Sequence, residues 1–310
     1  MIDGLHRLSF EAMGCRFELM LDPEGPGLDQ WSVRAVGEEI RELVFDWHTR
    51  LSIFDPASDI SRINRSPVGT PLPLDGELYE LLALCERLRE QTNGAFHNAA
   101  GTLMRVHGFR ECDAFTQSTI PFDLDCAFEL SETDMTITRT HELASLDFGA
   151  VAKGYVLDLV RELLTDHGIQ NAFVHGGTSS ILALGVDKAG NPWPAIVCEG
   201  TAVNTAGYSM GISEGASQEI ELDGNMIGHV MDTRTNSPAC SSIERVICVH
   251  RSATFADAFS TACLARPELI DELSAKLNDD PCTIIAVDSD TEIPFIHDPL
   301  GVVVQRSEDM

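Results

Sequence analysis

Residues 147–154 read Asp147-Phe148-Gly149-Ala150-Val151-Ala152-Lys153-Gly154, and from Tyr155 to Leu164 the apolar residues keep the spacing of an amphipathic helix ending at Gly168. A helix therefore starts at a turn flanked by glycines. Small residues let a backbone approach a ligand closely, and the free N–H groups of a helix start attract anions, so the segment is a candidate phosphate seat to which Lys153 adds a positive charge. A tight strand-to-helix turn with a solvated lysine fits the same residues equally well.

The 310 residues suffice for a substantial core, and 44% hydrophobic with 23% charged residues is the balance of a globular chain. Forty-nine acidic against 21 basic side chains give a formal charge of -28, which opposes nucleic acid and anionic membrane surfaces. An anionic ligand would then need local help from a lysine, a helix terminus or a divalent cation. Nine cysteines, at 15, 85, 112, 126, 198, 240, 248, 263 and 282, include no C-x-x-C pair and suggest neither a disulfide framework nor a zinc site. Cys85, Cys198, Cys248 and Cys263 fall in apolar runs. With no apolar leader at the N-terminus and no stretch long enough to span a membrane, the expectation is a cytoplasmic protein with reduced thiols.

Helical spacing recurs at Val33, Val36, Ile40, Leu43, Val44 and Trp47, and again at Leu78, Leu81, Leu82, Cys85 and Leu88 behind a cap at Asp75. Strands are expected at Phe173-Val174, Ser180 to Val186, Ala195 to Cys198, Glu219 to Leu222, Met226 to Met231, Ile243 to Val249 and Thr283 to Val287. Asp223-Gly224 signals a hairpin. Helices and strands do not alternate regularly and the hairpin signal implies antiparallel pairing, so the fold class is α+β, with antiparallel or mixed sheets packed with helices. No interdomain linker is evident, which predicts one domain over 1–310, a core of about 9–287, and an elaborated surface region at 109–145.

A further helix is expected from Thr254 to Ala265. At its 100° periodicity Phe255, Ala258, Phe259 and Ala262 share one face, while Asp257 and Thr261 sit together on the other. A carboxylate and a hydroxyl one turn apart supply two hard oxygen donors suited to Mg²⁺. A polar face turned to solvent has the same pattern.

Taken in order, these segments resemble the ApbE family of flavin transferases, the FAD:protein FMN transferases, from about Phe10 to Ala265. Met13-Gly14 is similar to the family's N-terminal Met-Gly, and the run from Leu51 to Asn64 (LSIFDPASDISRIN) to its S-x-Y-x-P-x-S-E-I-S-R-L-N. Gly94-Ala95-Phe96 and Gly108-Phe109 resemble G-A-F-D and W-G-F; Asp147 to Tyr155 resembles D-L-G-G-I-A-K-G-Y; Gly176-Gly177 resembles G-G-D. His229 to Thr235 (HVMDTRT) is similar to H-I-x-D-P-R-T-G, and Ala256 to Ala262 to A-D-A-L-A-T-A.

The resemblance implies an ApbE-like fold that binds FAD as substrate with Mg²⁺, transfers the FMN half to a threonine or serine of an acceptor protein, and releases AMP. It also implies metal ligation by Asp257, Thr261 and the Ala152 carbonyl, with Lys153 holding phosphate. Met13, Phe54, Asp59, Gly176, Gly177, Thr178, His229 and Asp232 align with the cofactor-binding region, and His229 is the candidate general base beside the catalytic Asp257. Phe54 stands where the family has tyrosine, His97 and Thr178 replace aspartates, and Thr233 replaces a proline. Water in place of the protein hydroxyl would make the same site an FAD pyrophosphatase. A non-catalytic flavin- or nucleotide-binding protein is the third reading.

Overall fold

In the computed structural model eight strands form the central sheet: β1 (His6–Ala12), β2 (Cys15–Leu21), β3 (Ala172–Gly176), β4 (Ser180–Leu184), β5 (Ser209–Glu214), β6 (Ile243–His250), β7 (Thr283–Asp288) and β8 (Phe295–His297). They lie side by side in chain order, and every neighbouring pair is antiparallel. The structure describes residues 4–24, 27–110, 120, 122–198, 201–215, 219–222, 225–276, 280–289 and 294–305. The helices are α1 (Gln30–Leu51), α2 (Asp59–Asn64), α3 (Gly76–Gln91), α4 (Gly101–Val106), α5 (Ala152–Asp166), α6 (Ala253–Ala265) and α7 (Leu269–Lys276). The α+β class and the antiparallel pairing expected from the sequence are present.

Both faces of the sheet are covered, which explains why its inner strands read as near-continuous apolar runs. Along β6, Val246 and Cys248 join the core beneath α1, α5 and α6, whereas Ile247 and Val249 join a second core. That second core includes Ala195, Val197 and Val203 of a small sheet built from Pro194–Cys198, Thr201–Asn204 and Val303–Gln305. Burying each valine or isoleucine among them contributes about 1.5–3 kcal/mol.

Local chemistry sets the helix boundaries. Asp29 and Ser32 form a reciprocal capping box at the start of α1, with Ser32 N–H donating to Asp29 Oδ1 at 2.8 Å and Asp29 N–H to Ser32 Oγ at 2.9 Å. Asp75 caps α3 by accepting from Leu78 N–H at 2.9 Å, as its sequence position predicts. β1 and β2 form a hairpin that the sequence reading does not identify. Its two-residue turn places Met13 at φ 50° and Gly14 at φ 72°, the twist that suits right-handed strands.

Other differences are local. Glu219–Leu222 pairs with Asn225–Gly228, while Asp223-Gly224 itself lies outside the described residues. The strand expected over 226–231 breaks at a bend containing His229, and Met231–Asp232 pairs with Ser237–Pro238 instead. Within 109–145, Phe128–Ser131 and Thr136–Arg139 pair and join Pro71–Pro73 in a three-stranded sheet.

Candidate functional site

The starts of α5 and α6 meet at the centre of the molecule. Two glycines permit the contact: a Cβ on Gly154 would lie 2.3 Å from the Ala253 carbonyl oxygen, and one on Gly211 of β5 would lie 2.4 Å from the carbonyl group of Ala256. Because α6 is wedged between α5 and the sheet, every residue of it except Thr261 is buried. Asp257 is therefore buried too, not turned to solvent. Gly211 is a close-packing position that sequence reasoning missed: a glycine inside a strand marks close approach of another backbone, but the sequence analysis places no strand at Ser209–Glu214.

The Asp257 carboxylate has two hydrogen-bond partners. Gly154 N–H donates to its Oδ2 at 2.7 Å, and Ser180 Oγ lies 2.9 Å from each carboxylate oxygen. An amide in the first turn of α5, expected from sequence to seat phosphate, thus already meets an anion supplied by α6. Val151 provides no side-chain cap there. Burial pushes the Asp257 carboxyl up to about 7, opposed by the charge of Lys153 and by the hydrogen bonds from Ser180 and Gly154. One turn along α6, Thr261 Oγ1 donates to the Asp257 carbonyl at 3.1 Å and lies 2.9 Å from Ser213 Oγ, which in turn lies 2.9 Å from Ser260 Oγ.

The hairpin turn at Met13 and the turn at Gly176-Gly177 reach this end of the sheet. Gly177 N–H donates to Arg16 O at 2.8 Å; Gly177 has φ +64°, and a Cβ on it would sit 3.0 Å from Cys15 Cβ. The Cys15 thiol, raised mainly by burial, also senses Lys153 and Asp257, which locates both turns beside the α5–α6 junction. Met13 N–H donates to His48 Nδ1 at 3.1 Å, and Thr178 is exposed.

Phe54 is 81% exposed, so it is no core residue. The Arg110 guanidinium lies 5.8 Å from its ring centroid and donates from Nε to Asp147 Oδ2 at 3.0 Å; Asp147 Oδ1 in turn accepts from Gly149 N–H at 2.8 Å. Phe54 is thereby linked to the segment leading into α5.

Two of the remaining sequence candidates already have partners within the protein. Asp59 is ion-paired with Arg50 and Arg62, each at 3.1 Å. Asp232 is buried, and its Oδ1 accepts from Arg234 N–H at 3.0 Å, which makes it the cap of its own turn. Thr233 Oγ1 donates to Gly94 O, tying that turn to the Gly94-Ala95-Phe96 segment. His229 is half-buried in the bend just before. His97 caps the short helical turn at Asn98–Ala100 through Nδ1 and points Nε2 at Asp125, 3.2 Å away. It lines a cavity of about 400 Å³ between α3 and the hairpin at 128–139.

The donor set fits a small hard cation. Among the described residues no three His, Cys, Asp or Glu side chains converge to hold a metal ion. The junction instead offers the Asp257 carboxylate, the Thr261 hydroxyl and the first turn of α5, which carries the Ala152 carbonyl. Magnesium accepts so few protein oxygens, completing its shell with water and phosphate. A carboxyl held near 7 by burial gains a compensating charge when such a cation binds.

The comparisons agree with this architecture. The sequence profile of the ApbE family matches residues 13–280, and the chain belongs to that family. It is 27% identical over 227 residues to the FAD:protein FMN transferase of Chlamydia pneumoniae, covering 68% of this chain and 70% of that one. It is 28% identical over 264 residues to the enzyme of the same name from Treponema pallidum, with 74% and 71% covered. The ApbE protein of Thermotoga maritima superposes with a TM-score of 0.77 at 20% identity, over 94% of this chain and 96% of the other. Flavin transferase ApbE from Vibrio cholerae gives 0.76 at 18% identity, with the same shares covered. The eight cysteines among the described residues are free thiols, and no helix there is long and apolar enough to cross a membrane.

Proposed function

We propose that this protein is an FAD:protein FMN transferase that uses Mg²⁺ to move the FMN half of FAD onto a threonine or serine hydroxyl of an acceptor protein, releasing AMP. The observation that carries this reading is the α5–α6 junction: a buried carboxyl raised to about 7, Thr261 one turn beyond it, and Lys153 and the start of α5 facing it. The names of the relatives support flavin as the cargo.

In this reading Asp257, Thr261 and the Ala152 carbonyl hold Mg²⁺, which when bound neutralises charge on the pyrophosphate. Lys153 adds a fixed positive charge on the same side. Met13, Phe54, Asp59, Gly176, Gly177, Thr178 and Asp232 form the FAD-binding region, where the exposed Phe54 ring offers a stacking surface. His229 accepts the proton of the acceptor hydroxyl while the hydroxyl oxygen bonds to the FMN phosphorus and the bond from that phosphorus to the AMP oxygen breaks. The chain works as one domain over 1–310, in the cytoplasm.

The test is incubation of the pure protein with FAD, Mg²⁺ and a candidate acceptor. Gain of one FMN by the acceptor, seen by mass spectrometry together with AMP, is expected. AMP without any acceptor would mean hydrolysis to FMN and AMP, and no AMP under either condition would mean a binding protein.

A further inference from the structure

Asp158 lies four residues after Gly154 on α5, so the two share a helix face, and that face meets α6. Its carboxylate collects four hydrogen bonds from the start of α6: Ser252 Oγ at 2.6 Å, Ala253 N–H at 2.7 Å, Thr254 N–H at 2.9 Å and Thr254 Oγ1 at 2.6 Å. Ser252 already caps its own helix by accepting from Phe255 N–H at 3.2 Å. The second cap, from α5, therefore does more than end a helix. The contacts are reciprocal: α6 sends Asp257 to the start of α5, and α5 sends Asp158 to the start of α6. Each carboxylate sits where the partner's helix dipole favours negative charge.

We propose that Asp158 is a positioning residue that fixes α6 along and about its axis against α5, so that Asp257 meets Gly154 N–H and Thr261 follows one turn on. Two helices held only by apolar packing can shift against each other by fractions of a turn. Four hydrogen bonds to one carboxylate remove that freedom at the end of α6 nearest Asp257. The geometric statement stands on its own; its consequence for cation binding rests on the function proposed above.

The experiment uses full-length protein without FAD, with two readouts: the Gly154 amide proton by NMR, and binding of Mn²⁺ followed by electron paramagnetic resonance. In Asp158→Asn the Gly154 amide is expected to shift upfield and exchange faster, and the Mn²⁺ half-saturation to weaken about tenfold or more, the usual effect of removing a group that orients a ligand. Leu164→Ala, which empties a buried site at the far end of α5, should lower the melting temperature and leave both readouts in place. If Asp158→Asn does not fold, Thr254→Val, which removes one donor, decides by the same signals, with Thr254→Ser expected to restore them. An unmoved Gly154 amide in the folded variant, or an equal response in Leu164→Ala, overturns the proposal. A Gly154 response in a protein whose wild type binds no Mn²⁺ leaves the positioning role standing and removes the metal from the proposed function.

Discussion

Replacing Gly154 with alanine tests the close approach on which the site is built. In an ordinary helix the change would stabilise by about 1 kcal/mol, because alanine is the better helix former. Here the new Cβ would lie 2.3 Å from Ala253 O, 2.6 Å from Ala253 C and 2.8 Å from Thr254 Cα, all backbone atoms that no side-chain rotation can move. Restoring ordinary contact requires α5 and α6 to part by about 1 Å, and overpacking of this kind typically costs about 1–3 kcal/mol. The same displacement stretches the 2.7 Å bond from Gly154 N–H to Asp257, and a misplacement of about 1 Å can lower a rate about 10²-fold. Urea denaturation should therefore show a net loss of stability, and flavin transfer, followed as AMP release with acceptor present, should fall by about two orders of magnitude. An alanine variant as stable as the wild type, or more so, would refute the packing argument, because helix propensity would then be the only effect left.

Asp257→Asn keeps an oxygen for Gly154 N–H and should fold, while initial transfer rates fall about 10²-fold or more with the lost negative charge; Thr261→Ala should cost less, since water can replace a neutral hydroxyl. Flavin fluorescence titration should show FAD binding weakened by EDTA, and binding indifferent to chelation would remove the cation from the site. His97 gives a pH signature: burial lowers its pKa below 6.5, outweighing the opposite pull of Asp125 and Glu86, with Arg89 lowering it further. The unfolded chain thus takes up this proton first as pH drops below 6.5, so the contribution is full above 6.5 and is lost as pH falls through the folded value. His97→Asn, whose side-chain oxygen can still cap Ala99 N–H, should flatten that part of the stability curve in denaturation measured across pH.

What was legible in the sequence was whatever local chemistry decides. The Asp75 cap, the apolar stripe of α1 and the both-faced runs of β6 and β7 are short-range patterns, and the helices and strands formed there. The β1–β2 hairpin was hidden because its turn asks a methionine to adopt a positive φ, which no turn preference anticipates. At the site, sequence placed Asp257 and Thr261 on one helix face but could not see that Asp257 is buried. The partners that bury it, Gly154 and Ser180, lie 103 and 77 positions away. Asp158 escaped for a related reason: an aspartate on an amphipathic helix reads as a solvated residue until the start of a second helix is laid across it.

The order of strands has a consequence for synthesis. Each strand pairs with the next in the chain, yet Leu21 at the end of β2 must wait for Ala172, about 150 residues later, at translation rates of about 5–20 residues per second. For about 8–30 seconds a nascent hairpin carries an open edge of amides and carbonyls able to recruit another strand.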